Sequence, residues 1–154
     1  MQMTLAIVQI SPEWEEPLAM FFETLVNCGE TQYFHPHPLT RDEAIARSQY
    51  SGNDLYYLLV EDKTIIGYGM LRGWDAGYEI PSLGIAIHPE ARGAGLGCAF
   101  IHFLHVAARR KGATKVRLKV YRQNTKVLRL YHNLGYVFEG QEEDGQVVGY
   151  FDLV

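Results

Sequence analysis

The chain has 154 residues, 47% of them hydrophobic and 21% charged, which suits one globular core and shows no biased tract. A formal net charge of −4 argues against nucleic acid as the partner and leaves a small molecule. Cys28 and Cys98 lie far apart and outside any CxxC pattern, which argues against a disulfide framework or zinc ribbon and suits a reducing cytoplasm.

MQMTLAIVQI (1–10) lacks the basic start of a signal peptide, and no run approaches the ~18 apolar residues of a membrane span, so a cytoplasmic location is expected. Within that segment TLAIVQI (4–10) reads as a strand. Ser11-Pro12 then opens a helix to about Asn27, with Ser11 as N-cap and proline at the first helical position. TQYFHPHPL (31–39) reads as an irregular loop stiffened by prolines. Thr40 and Glu43 have the spacing of a capping box and start a second helix to about Tyr50. DLYYLLVE and KTIIGYGMLRG form two strands around a tight turn at Glu61-Asp62-Lys63, and YEIPSLGIAI (78–87) forms a third. From Leu96 to Lys111 the pattern is helical, with Gly112 just past the end. KVRLKVY (115–121) alternates, with Val116, Leu118 and Val120 on one face and Arg117, Lys119 and Tyr121 on the other. Asn124 begins a further helix that Gly135 stops, and a hairpin around Asp144-Gly145 closes the chain. The order β-α-α-β-β-β-α-β-α-β-β predicts a single α/β domain over 1–154. Its sheet is six- to seven-stranded, mixed but mostly antiparallel, with about four helices and one convincing β-α-β crossover.

That crossover contains RGAGLG (92–97), three glycines at alternate positions behind an arginine. A nucleoside-triphosphate loop needs Gly-Lys-Ser/Thr at its end, but Gly97 is followed by Cys98-Ala99. A dinucleotide fingerprint needs a third glycine where Cys98 stands, a loop directly after the strand, and an acid about 20 residues on. HPEA separates Ile87 from Arg92, and the next strand ends Lys119-Val120-Tyr121 without an acid. What remains is a loop whose successive N–H groups open a helix and face an anion, with glycine letting the backbone approach and Arg92 adding a charged contact. It reads as a pyrophosphate cradle with no reader of base or ribose.

LGIAIHPEARGAGLG resembles the acetyl-CoA signature of the GNAT superfamily of N-acetyltransferases, a hydrophobic strand, a short loop and then Arg/Gln-x-x-Gly-x-Gly/Ala, with Arg92, Gly95 and Gly97 at the fixed positions. NTKVLRLYHNLGY resembles the second motif of that family, Asn-x-x-Ala-x-x-x-Tyr-x-x-x-Gly-Phe. Asn124, Tyr131 and Gly135 match, while Val127 stands for Ala and Tyr136 for Phe. The resemblance spans about 82–138, and the element order of the whole chain agrees with it.

The resemblance implies an acetyl-CoA cosubstrate, no metal, and direct attack of an amine on the thioester in a ternary complex. It places the pantetheine arm along the backbone of Ile85 and Ile87, and the pyrophosphate on the amides of Arg92, Gly93, Ala94, Gly95, Leu96 and Gly97. Asn124 would touch the pantetheine arm. The reaction requires removal of an ammonium proton, support for an oxyanion and protonation of the leaving thiolate. A backbone N–H near Ile87 would serve the oxyanion, and Tyr131 would be the acid, the alternative being an aromatic that only packs. Glu79 would be the base through a water, the alternative being a solvated strand-end carboxylate; Asp75 is a second choice.

Tyr33, His35 and His37 in YFHPHP, with Trp74, Asp75 and Tyr78 in RGWDAGYE, are expected to wall the acceptor pocket. Amphipathic aromatics with carboxylates suit a small polar amine such as an amino sugar. A protein N-terminus or a lysine is the alternative acceptor, and a non-catalytic acyl-CoA sensor is the alternative function. Cys98, His102, His105 and Arg109 share one helical face, read as a solvated or cofactor-facing stripe rather than a metal site, because no fourth ligand accompanies them. An exposed C-terminal hairpin would allow a homodimer.

Overall fold

The protein is described here by a computed structural model over residues 2–29 and 36–154. Seven strands, β1 (Leu5–Gln9), β2 (Leu55–Glu61), β3 (Thr64–Arg72), β4 (Ser82–Ile87), β5 (Lys115–Tyr121), β6 (Val137–Glu143) and β7 (Gln146–Asp152), form one sheet in the order β1-β2-β3-β4-β5-β7-β6. Every neighbouring pair is antiparallel except β4 and β5. Among the described residues four α-helices pack on the sheet: α1 (Glu15–Asn27), α2 (Arg41–Ser48), α3 (Leu96–Arg110) and α4 (Thr125–Leu134). This is the mixed, mostly antiparallel α/β architecture and element order that the sequence predicts.

Local chemistry explains the boundaries. Thr40 caps α2 by accepting from the Glu43 amide at 3.1 Å. The β2–β3 and β6–β7 hairpins turn on residue pairs that both have positive φ, Asp62-Lys63 (48° and 75°) and Asp144-Gly145 (53° and 75°), as a type I′ turn requires. The first helix starts later than its sequence suggests. Pro12–Trp14 form a 3₁₀ turn, and the Ser11 hydroxyl points to the Glu13 carboxylate instead of capping α1. The third strand also starts late, at Ser82 rather than 78. One oxygen of Asp54 accepts from the amides of Gly73, Trp74 and Asp75, at 3.0, 2.9 and 3.2 Å, and holds this segment as a turn.

Each face of the sheet carries its own core. The alternation of β2 and β3 sends Tyr56, Leu58, Val60, Tyr68 and Met70 toward α1 and α2, where they meet Leu18, Phe22 and Leu25. The other face buries Leu71, Leu83, Val116, Leu118 and Val120 under Phe100, Ile101 and Leu104 of α3. Here α3 lies directly on backbone, because a Cβ at Gly69 would stand 2.7 Å from the Phe100 ring and 3.1 Å from Leu104. That contact seats α3 on β3, and at the helix start a Cβ at Gly97 would stand 3.9 Å from Ile87 at the end of β4.

Candidate active site

The central parallel pair barely forms. Ser82 opposite Arg117 is its registered position, closed by the Arg117 amide donating to Pro81 O at 2.9 Å, and beyond it β4 and β5 diverge. His88 donates its amide to Ile66 at 2.8 Å, so its backbone faces β3. By the alternation of a strand, the amides and carbonyls of Ile85 and Ile87 face the opening. The Arg92 guanidinium reaches back to the Ile87 carbonyl, with Nε at 3.2 Å and Nη2 at 3.1 Å. Arg92 thus secures the loop to the strand end while lining the cleft.

The loop itself is built for close approach. His88 Nδ1 accepts from the Glu90 amide at 3.1 Å, the Pro89–Ala91 segment makes a 3₁₀ turn, and the chain then passes through Gly93 (φ +89°) and Gly95 (φ +82°). An L side chain strains such a backbone, and a Cβ at either glycine would meet no protein atom within 4 Å. The space above them is therefore open to a ligand. Gly95 caps α3, whose first intrahelical bond is donated by Ala99 to Gly95 O, so the amides of Leu96, Gly97 and Cys98 have no intrahelical partner. Those donors and the positive end of α3 suit a phosphate.

Asn124 stands across the opening at the head of α4; its side chain makes no capping bond and lines the same cleft. Deeper in, Tyr131 is only 6% exposed and packs edge-on against Tyr136, with ring centroids 5.3 Å apart. Its hydroxyl has no hydrogen-bond partner among the described residues. Burial, with a smaller contribution from Cys98, holds this phenol well above the usual tyrosine range, so it keeps its proton. The cleft has a volume of about 2140 Å³. That exceeds the roughly 300–1,000 Å³ of ordinary ligand pockets and leaves room for a long cosubstrate and a second molecule.

The expected acceptor residues divide. Tyr78, 68% exposed, and Glu79 line the cleft from the turn before β4. Asp75 also borders it, but its carboxylate is engaged, accepting from the Tyr50 hydroxyl and from the Asn53 amide at 2.8 Å, contacts that hold its pKa low. Trp74 is not brought to the cleft. It packs against the α3-side core with the Lys111 ammonium 4.9 Å from its ring centroid. His37 is not brought there either: it is buried, with Nε2 2.8 Å from the Tyr68 hydroxyl and Nδ1 2.7 Å from Pro38 O. Burial pushes its imidazole below the usual histidine range. Tyr33 and His35 lie outside the described residues. The polar stripe on α3 is also not uniformly solvated. His105 is buried, bonded through Nε2 to the Tyr136 hydroxyl at 2.7 Å and stacked on Phe151 at 4.2 Å. Among the described residues no group of three or more histidine, cysteine or acidic side chains is placed to hold a metal.

The structure adds residues that the sequence left unmarked. Arg47, Tyr50, Tyr56 and Arg72 line the cleft together with Tyr78 and Glu79, and Arg117 and Lys119 of β5 line it too. The available signal for Arg72 was a single cation ending the otherwise apolar run TIIGYGML.

Comparison with known proteins points the same way. The model of the Acetyltransferase (GNAT) family matches residues 18–136. The fold is similar to the GNAT domain of S. lividans PAT, with a TM-score of 0.80 and 18% identity over 95% of this chain and 89% of that one. It is similar to an N-acetyltransferase from Staphylococcus aureus Mu50, with a TM-score of 0.76 and 19% identity over 98% and 99% of the two chains. It is also similar to the PaiA N-acetyltransferase of Thermoplasma acidophilum, solved in complex with coenzyme A, with a TM-score of 0.73 and 18% identity over 97% and 99%. A search of curated proteins gives no match. At these identities the solved structures speak for the fold, and the family match, which covers most of the chain, speaks for membership. A splayed sheet with a glycine-opened helix at its mouth, in a chain matched by that family, makes this protein a member of the GNAT acetyltransferase family.

Proposed function

We propose that this protein transfers an acetyl group from acetyl-CoA to the primary amine of a small polar molecule, amino sugars among them, by direct attack in a ternary complex in the cytoplasm. The observation that carries the reading is the opening between β4 and β5, with unpaired α3 amides at its mouth and a protonated tyrosine inside. Acetyl-CoA, when bound, supplies the activated thioester; the protein supplies position and protons. The amides of Gly93, Ala94, Gly95, Leu96 and Gly97 and the Arg92 charge receive the pyrophosphate. The outward backbone of Ile85 and Ile87 pairs with the pantetheine amides as an added strand would, and Asn124 holds that arm from the other side. The Ile87 amide supports the developing oxyanion.

We assign Tyr131 as the acid. Its raised pKa keeps the hydroxyl a donor at neutral pH, where a leaving thiolate needs a proton. We assign Glu79 as the base, its exposed position in the cleft wall allowing a water between carboxylate and ammonium. The test is thiol release from acetyl-CoA against a panel of amines, repeated with Tyr131→Phe and Glu79→Gln. Tyr131→Phe is expected to lower kcat by about 10²-fold, the low end for one proton transfer, with acetyl-CoA KM little changed. Glu79→Gln is expected to lower kcat at neutral pH with acetyl-CoA KM little changed. Coenzyme A binding without turnover on any amine would replace this reading with that of a sensor module.

A further inference from the structure

Two guanidinium groups converge on Tyr56 at the side of the cleft, and among the described residues only one of them is ion-paired. Arg47, on α2, is only 18% exposed and donates from Nη1 to the Tyr56 hydroxyl at 2.6 Å. Its guanidinium carbon lies 5.4 Å from the Tyr50 ring centroid and 5.0 Å from that of Tyr56. Its charge is matched on the far side by Glu43, 3.3 Å from Nε. Arg72 ends β3 opposite Ser82, half-buried, and donates from Nη1 to Pro36 O at 2.6 Å. Both guanidiniums act on the same phenol: the charges of Arg72 and Arg47 each pull the Tyr56 pKa down against the burial that raises it.

Arg72 has no carboxylate within ion-pair distance among the described residues. The neighbouring acids are committed elsewhere. One oxygen of Asp54 accepts from three backbone amides, Asp75 holds Tyr50 and the Asn53 amide, and Glu43 faces Arg47 and His37. Of the two guanidiniums at this half-buried corner, Arg72 is therefore the one without an ion-pair partner among the described residues. Pro36 and Met70 beside Gly84 narrow it, since a Cβ at Gly84 would stand 3.2 Å from Met70 and 3.3 Å from Pro36. A partly desolvated guanidinium with donors to spare calls for an anion. One guanidinium without an ion pair fits a carboxylate better than a phosphate dianion.

We propose that the acceptor is a small amino acid-like molecule, bearing a carboxylate held by Arg72 beside the Arg47–Tyr56 pair as well as the amine that is acylated. This rests on the reading of the cleft as an amine acyltransferase site and narrows its acceptor. The carboxylate would sit under the turn that carries Glu79, leaving the ammonium to face that acid.

The test is calorimetric titration of amino acids, their carboxamides and aminoalkyl phosphates onto the protein saturated with coenzyme A, so that binding is read without turnover. At least one amino acid is expected to bind, and its carboxamide at least about tenfold more weakly, as loss of a charged hydrogen bond predicts. Arg72→Gln should weaken the amino acid about tenfold and leave its carboxamide and coenzyme A unchanged; Arg72→Lys should recover part of the loss. Unchanged coenzyme A affinity certifies that each variant is folded. The proposal is overturned if no amino acid binds at millimolar concentration, if carboxamides bind equally well, if only aminoalkyl phosphates bind, or if Arg72→Gln weakens acid and amide alike. Failure of coenzyme A to bind would instead overturn the acyltransferase reading, while amino acid titrations on the free protein would still decide the Arg72 site.

Discussion

Acidification should destabilise this protein through one buried imidazole, His105. It is 6% exposed, stacked on Phe151 and bonded to the Tyr136 hydroxyl, and burial with the nearby His102 pushes its pKa down from 6.5 to about 4. A histidine held neutral in the fold titrates near its ordinary value when unfolded, so the unfolded chain takes up the proton first as pH falls. Its contribution is complete above about pH 6.5 and is lost progressively between there and about pH 4. At 1.36 kcal/mol per unit, the drop from pH 7.5 to 5 removes about 2 kcal/mol, or about 1 kcal/mol if water screens the ring edge. That is a sizeable part of the roughly 5–15 kcal/mol typical of a domain. The assay is urea unfolding followed by far-ultraviolet circular dichroism at both pH values, in wild type and in His105→Phe/Tyr136→Phe. The double replacement removes the titrating ring together with the hydroxyl that would otherwise be stranded, so it should cost little at pH 7.5. It should also reduce the stability lost on acidification by about 1–2 kcal/mol. An equal loss in both proteins would refute the reasoning.

Three substitutions test the scaffold around the cleft. Gly95→Ala forces an L residue into φ +82° at the α3 cap and should cost about 1–2 kcal/mol by the same unfolding assay, with coenzyme A affinity reduced by calorimetry. Gly69→Ala drives a methyl group against Phe100 and Leu104, an overpacking worth about 1–3 kcal/mol, and should lower Tm in calorimetric scans. Asp54→Ala releases the amides of Gly73, Trp74 and Asp75; steady-state kinetics should show acceptor KM rising while acetyl-CoA KM stays constant.

The legible parts of this chain are those whose signals are local. Thr40 with Glu43, Asp62-Lys63, Asp144-Gly145, Gly112 and Gly135 mark boundaries because capping and left-handed turns need particular residues within a few positions. The backbone of the glycine loop is legible for the same reason, since Gly93 and Gly95 take positive φ values that favour glycine. What escaped depends on partners distant in sequence. The start of β4 is set by Asp54, about 20 residues upstream of the amides it gathers. His37 reads as a pocket histidine until Tyr68, 31 residues away, claims it in the core. His105 reads as part of a polar stripe until Tyr136 and Phe151 cover it. Arg47 and Arg72 look like ordinary surface cations, because nothing in the chain announces that α2 and the end of β3 meet around Tyr56.

The single rung between Ser82 and Arg117 has a mechanical consequence. The seven-stranded sheet is two smaller sheets, β1 to β4 and β5-β7-β6, that share a seam open along most of its length. The first half takes its rigidity from α1, α2 and its antiparallel ladders, whereas the second is tied across the seam by that rung and by α3. A molecule lying in the seam touches both halves at once and acts as the missing strand. Filling the cleft and completing the sheet are then one event. Resistance of the C-terminal strands to opening should follow occupancy of the seam, with about 2.7 kcal/mol gained at a hundredfold excess over Kd.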